Sequence, residues 1–136
     1  MDRVLVAVDD SQEARDALKY ALEQFPEATI YAAHVPEVQN ISFDTSATAS
    51  MTDEAEDRAE AILETAMTIA AEHDRTIEPE LVFGHPAKAM VSYAEENDID
   101  QIVVGSRGKD GVKRVLLGSI AETIMRRANC PVTVVR

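Results

Sequence analysis

Glycine and serine recur between residues 105 and 119 at the positions a chain uses to hold an anion. Gly105 and Gly108 stand two residues apart, and nine residues further on comes Gly118-Ser119. Ile102-Val103-Val104 runs into this stretch as an apolar strand, and a helix begins near Ser119. Glycine at a strand end lets backbone approach a ligand closely. A helix N-terminus offers N–H groups to an anion. The chemistry suited to these residues is phosphate binding. Local charge agrees with it. Residues 107–114 hold Arg107, Lys109, Lys113 and Arg114 against Asp110, in a chain of net charge −12. Such a reversal of sign is what an anion site needs.

A second cluster, Asp9-Asp10-Ser11, follows the apolar run Val4 to Val8. Asp10 or Ser11 can cap the next helix, with Glu13 three residues beyond Asp10 as a capping-box partner. Ser119 and Glu122 form a second S-x-x-E pair of the same kind. A capped N-terminus still leaves N–H groups for a phosphate.

The elements that must position these clusters alternate. Arg3 to Val8 is a near-continuous apolar run, the pattern of a strand buried on both faces of a parallel sheet. Ala14, Ala17, Leu18, Ala21, Leu22 and Phe25 mark one helical face, which Pro26 ends. Thr29 to Val35 is a second strand, stopped by Pro36, and residues 40–50 read as a loop rich in Ser, Thr and Ala. A long helix over residues 52–73 carries Ala55, Ala59, Ile62, Leu63, Ala66, Ile69 and Ala70 at helical spacing. Thr76 to Phe83 alternates and contains Pro79, which confines it to a sheet edge. Gly84-His85-Pro86 turns into a third helix, with Ala87, Met90, Val91 and Ala94 inward and its end near Asn97. Gln101 to Val104 is the fourth strand. Ile120, Ile124, Met125 and Ala128 give the expected core face of a fourth helix, and Val132 to Val135 is the last strand.

This βαβαβαβαβ order predicts a single α/β domain over residues 1–136, an open parallel five-stranded sheet with helices on both faces. Right-handed crossovers, with the most apolar runs in the middle, give the order 3-2-1-4-5. Strands one and four then adjoin where the winding reverses, and ligands bind in that crevice at the strands' C-terminal ends. Asp9 and Gly105 meet there.

Composition excludes several function classes. Hydrophobic residues make up 46% of the chain, enough for a globular core. The acidic balance, 25 Asp and Glu against 13 Lys and Arg, opposes general nucleic-acid binding. No apolar run reaches the ~20 residues of a membrane span, and the first residues enter a strand rather than a signal peptide. Cys130 is the sole cysteine, so no internal disulfide forms and a cytoplasmic location is expected. Abundant acids with few lysines resemble the surfaces of halophilic proteins. An ordinary acidic cytosolic protein fits equally well, and melting temperature against KCl separates the two. His34, His73 and His85 lack metal-ligand spacing and read as structural or surface residues. Cys130 reads as a small packed side chain. There is no Walker G-x-x-x-x-G-K-[ST] motif and no Ser–His–Asp ordering. A phosphoacceptor receiver domain shares the paired acids after strand one, but it needs an Asp where strand three here ends in Val82-Phe83-Gly84.

The spacing Gly105-x2-Gly108-x9-Gly118-Ser119 resembles the nucleotide-binding signature of the universal stress protein family. Val6-Ala7-Val8-Asp9-Asp10-Ser11, Ala33-His34-Val35, Gly84-His85-Pro86 and Asn129-Cys130-Pro131-Val132 are similar to that family's other segments, so the likeness covers almost the whole chain. It implies a Rossmann-like fold of the adenine nucleotide alpha hydrolase type and a regulatory stress-response protein that binds ATP or another adenine nucleotide, with at most slow hydrolysis. It also implies roles for individual residues. Asp9 would contact the ribose, and Ala7 and the Val35 backbone would line the adenine pocket. Gly105 and Gly108, with Ser106 and Arg107 between them, would face ribose and phosphate. Gly118, Ser119 and the Ile120 amide would hold the phosphates, with Mg²⁺ or Mn²⁺ bound chiefly by nucleotide oxygens. Asp10 departs from the glycine or small residue usual in the family; a carboxylate there either repels phosphate or helps hold the metal. The family resemblance further implies a homodimer paired through Val132 to Val135, an unguarded apolar edge. A ligand-free, chaperone-like dimer is the alternative.

Overall fold

Val4, Leu5 and Val6 are fully buried although their side chains alternate between faces, because apolar helices cover both sides of the strand they form. A computed structural model of the chain describes residues 2–36, 52–106 and 117–136. Its elements are β1 (Arg3–Ala7), α1 (Gln12–Gln24), β2 (Thr29–His34), α2 (Asp53–Glu72), β3 (Glu78–Leu81), α3 (Pro86–Glu96), β4 (Gln101–Gly105), α4 (Ser119–Arg127) and β5 (Val132–Val135). All strand pairs are parallel, and the sheet order is β3-β2-β1-β4-β5. The order expected from pattern and handedness is the one found. Residues 40–50 lie outside the described residues.

The two faces have separate cores. Val4 and Val6 of β1 and Val103 of β4 pack with Ala17, Leu18 and Ala21 of α1 and with Ile62, Ala66 and Ile69 of α2. On the opposite face Leu5, Ala33, Ile102 and Val104 pack with Ala87, Met90 and Ala94 of α3 and with Ala121 and Ile124 of α4. Burying each Leu or Ile contributes about 1.5–3 kcal/mol. The edge strand β3 is shorter than its alternation suggests, and Ile77, just ahead of it, is buried against the α1–α2 side. Gly84 has φ +125, a conformation reserved for glycine, where the chain turns from β3 into α3. Tyr93 of α3 donates to Glu80 at 3.1 Å; burial, then the neighbouring Glu80, raise its phenol pKa well above the usual value.

Several local expectations are corrected. The N-cap of α1 is Ser11, whose hydroxyl accepts the Ala14 N–H at 3.1 Å, so Glu13 is not at the capping-box position. The N-cap of α4 is Gly118, with no side-chain cap bond. Ser119 is therefore the first helical residue and cannot cap, and Glu122 instead pairs with Arg126 at 2.9 Å. Ile120 and Met125 were expected in the core but are 38% and 48% exposed. Ala121 and Ile124 are the buried residues of α4, with Leu117 and Ala128 packed beside them. The stripe 117, 121, 124, 128 has the i, i+4, i+7 spacing that one helix face allows.

Candidate functional site

β1 and β4 are neighbours, paired from Val4↔Gln101 to Val6↔Val103. Continued past its last pair, this offset brings Asp9 level with Ser106. The winding reverses between these two strands, so their C-terminal ends open a crevice.

On the β1 side, Val8 stays attached to β2 after the strand has ended, its N–H donating to Ala33 O at 2.9 Å. Asp9 follows, half-buried. Its Oδ1 accepts the Ser11 N–H at 2.8 Å and also the Ser11 hydroxyl. A short acid accepting from the backbone two residues on closes a tight turn. Ser11 in turn caps α1, so the carboxylate and the helix start are locked together. Arg15 donates to Asp10 O at 3.2 Å from the first turns of the same helix.

On the β4 side, Gly105 packs against α1. A Cβ at this position would stand 2.9 Å from the Glu13 backbone. The missing side chain thus has a packing reason that the spacing alone does not reveal. The Ser106 N–H donates to Val135 O at 2.8 Å, and the Gly118 N–H donates to Ser106 O at 2.6 Å. The chain therefore leaves the crevice at Ser106 and returns to the same place at Gly118. This fixes the N-terminus of α4 at the end of β4. Gly118 has φ −66 and ψ 155 and no side chain to occupy the helix entrance, while Ser119 and Ile120 are exposed there. The start of a helix carries N–H groups and the positive end of the dipole. The arrangement can receive an anion at α4 with a carboxylate turn across from it.

The structure thus brings Asp9, Gly105, Ser106, Gly118, Ser119 and Ile120 to one end of the sheet. Ala7 and Val35, both half-buried, lie at the same ends of β1 and β2. Arg107 and Gly108 lie outside the described residues, as do Lys109, Lys113 and Arg114. Among the described residues no group of His, Cys, Asp and Glu is placed to hold a metal ion. His73 is a helix-end residue, bonded to Ile69 O. Cys130 is half-buried, and desolvation raises its thiol pKa. His34 is the polar residue whose part was missed: its Nδ1 lies 2.9 Å from Val8 O, beside the Asp9 turn. A histidine closing the apolar end of β2 after Ala32-Ala33, two residues before Pro36, was the available signal. Among the described residues no helix is long and apolar enough to cross a membrane.

Comparison with known proteins agrees with this architecture. The model of the universal stress protein family matches residues 1–136. A universal stress protein of Methanocaldococcus jannaschii is 31% identical over 138 residues, covering 98% of this chain and 81% of that protein. A universal stress protein solved in complex with cAMP superposes with a TM-score of 0.76 at 28% identity, over 99% of this chain and 97% of the other. The universal stress protein of Archaeoglobus fulgidus in complex with dAMP also gives 0.76, at 25% identity, over 100% and 98% of the two chains.

Proposed function

The chain belongs to the universal stress protein family, and we propose that it binds ATP or another adenine nucleotide in the β1–β4 crevice as a regulatory protein of the stress response. The observation that carries this reading is the Gly118 N–H bond to Ser106 O, which holds the N-terminus of α4 against the end of β4. The relatives solved with cAMP and dAMP support an adenine nucleotide as the ligand class.

The phosphates sit against the bare backbone of Gly118 and at the amides of Ser119 and Ile120, where the helix dipole favours negative charge. A side chain at position 118 would fill that entrance, which is why glycine suits it. Asp9, held by Ser11, accepts from the ribose hydroxyls. The Ala7 and Val35 backbone lines the base. Gly105, Ser106, Arg107 and Gly108 complete the phosphate side. Mg²⁺ or Mn²⁺ bound with the nucleotide neutralises phosphate charge; it needs few protein carboxylates, because Mg²⁺ takes substrate oxygens and water readily.

The protein acts by binding, in the cytoplasm, with at most slow hydrolysis. Nucleotide at α4 shifts the protein's population of conformations, and partners read that difference. A second copy pairs with the free edge of β5. Mass spectrometry of ligand released from freshly purified protein tests the reading. An adenine nucleotide is the expected species. Ligand-free protein with no measurable nucleotide affinity would overturn it in favour of a structural dimer.

A further inference from the structure

The Val8 carbonyl is the last acceptor before Asp9, and it is held by a side chain rather than by the sheet. His34, the final residue of β2, is 7% exposed. Its Nδ1 lies 2.9 Å from Val8 O. A carbonyl only accepts, so Nδ1 carries the proton. The backbone that carries the imidazole is itself anchored, because the His34 carbonyl accepts the Val82 N–H at 2.9 Å. Val8 is therefore tied to β2 twice, its N–H to Ala33 O and its carbonyl to the His34 ring. Asp9 is the next residue, and its Oδ1 is already committed to the Ser11 turn. Pro36, two residues on from His34, has no N–H with which to carry the β1–β2 ladder further.

We propose that His34 is a positioning residue for the nucleotide site: by donating to Val8 O it fixes the backbone from which Asp9 projects. This rests on the adenine-nucleotide reading. The imidazole spends the one polar group of an otherwise apolar strand end on the segment that presents the carboxylate. Removing the donor leaves a buried carbonyl without it, and the Val8–Asp9 peptide is free to rotate toward another partner. The Asp9 turn then loosens without loss of the sheet, which β1 and β2 hold through residues 3–7.

The test uses His34→Leu, which removes the donor, and His34→Asn, whose amide nitrogen takes the place of Nδ1. Each is made alone and together with Asp9→Ala, and ATP is titrated calorimetrically. His34→Leu is expected to weaken ATP binding about tenfold, and His34→Asn to recover most of it. In the Asp9→Ala background His34→Leu is expected to add less than about twofold, since residues acting as one unit are not additive. In nucleotide-free protein, hydrogen exchange at the Ser11 amide is expected to speed up in His34→Leu and not in His34→Asn. Unchanged affinity in His34→Leu, an equal further loss in the Asp9→Ala background, or Asn behaving as Leu would each overturn the positioning role. Wild-type protein that binds none of ATP, ADP, AMP and cAMP overturns the nucleotide reading instead. Equal Ser11 exchange in wild type and His34→Leu then overturns the positioning role separately.

Discussion

The backbone of Glu13 leaves no room for a Cβ at residue 105: the atom would lie 2.9 Å from the Glu13 carbonyl carbon and oxygen. Backbone cannot swing aside as a flexible side chain does. Gly105→Ala must push the first turn of α1 off the end of β4, at a cost of about 1–3 kcal/mol. Urea denaturation checks this through the unfolding midpoint. A glycine kept only for ligand approach would give an unchanged midpoint.

Arg75 closes the opposite end of α1. Its guanidinium donates to Leu22 O at 2.8 Å, Phe25 O at 3.2 Å and Ala28 O at 2.8 Å. A cation suits the carbonyl end of a helix. Arg75→Ala is expected to lower stability by roughly 2 kcal/mol, the scale of hydrogen bonds to a charged group. Arg75→Lys should recover less than half of the loss, because a single ammonium cannot reproduce the planar fork. Urea midpoints of the two variants measure the difference.

Asp100 ties the start of β1 to the start of β4, accepting the Arg3 N–H at 2.9 Å and the Asp2 N–H at 3.0 Å. The Arg3 bond first, then that from Asp2, lower its carboxyl pKa. A depressed folded-state pKa means that its contribution is present above the unfolded value, about 4. It is lost as pH falls through the folded value. Asp100→Asn should therefore flatten the acid limb of a stability–pH curve while changing its neutral region least in slope. Thermal midpoints recorded from neutral pH downward read this out; an identical acid slope in the variant would contradict it.

The free edge of β5 has an alternating polarity that a dimer can use. β4 bonds to β5 through Ile102 N–H onto Pro131 O and Ser106 N–H onto Val135 O. In a parallel pair the N–H and C=O of one residue point the same way, so Val132 and Val134 turn theirs outward. Val134→Pro removes an outward donor and spares the bonds to β4, a placement edge strands tolerate. The wild type is expected to be a dimer by light scattering and the variant a monomer with unchanged circular dichroism. A wild-type monomer at micromolar concentration would contradict the pairing.

The sheet order was legible because it depends on features written locally. Pro79 and the alternation around it put β3 at an edge, and the unbroken apolar runs of β1 and β4 put those strands in the centre. The face of α4 was misread because Ile120 and Met125 are apolar but lie off the stripe defined by Leu117, Ala121 and Ile124. Small alanines signal a buried face less loudly than an exposed isoleucine. The start of α4 near Ser119 was legible, but its cap was misread, since Ser119 is a better capping residue than Gly118 by composition, yet Gly118 is the one held by Ser106. In the site, Asp9 and Gly118 were placed by motif and topology. The Gly105–Glu13 contact and the His34–Val8 bond were not legible, because each joins elements far apart in sequence whose approach is set only by packing.

Calorimetric titration of ATP into wild-type protein and into Gly118→Val tests the central claim most directly. Gly118 has φ −66, which any residue adopts, so valine alters the helix entrance without backbone strain. The account predicts binding by the wild type and loss of at least about a hundredfold in the variant, with its fold intact by circular dichroism, because several charge-assisted amide bonds are displaced together. Ser119→Glu, which places a carboxylate at the same entrance, should do the same. Equal affinity in wild type and Gly118→Val would contradict the placement of phosphate at α4.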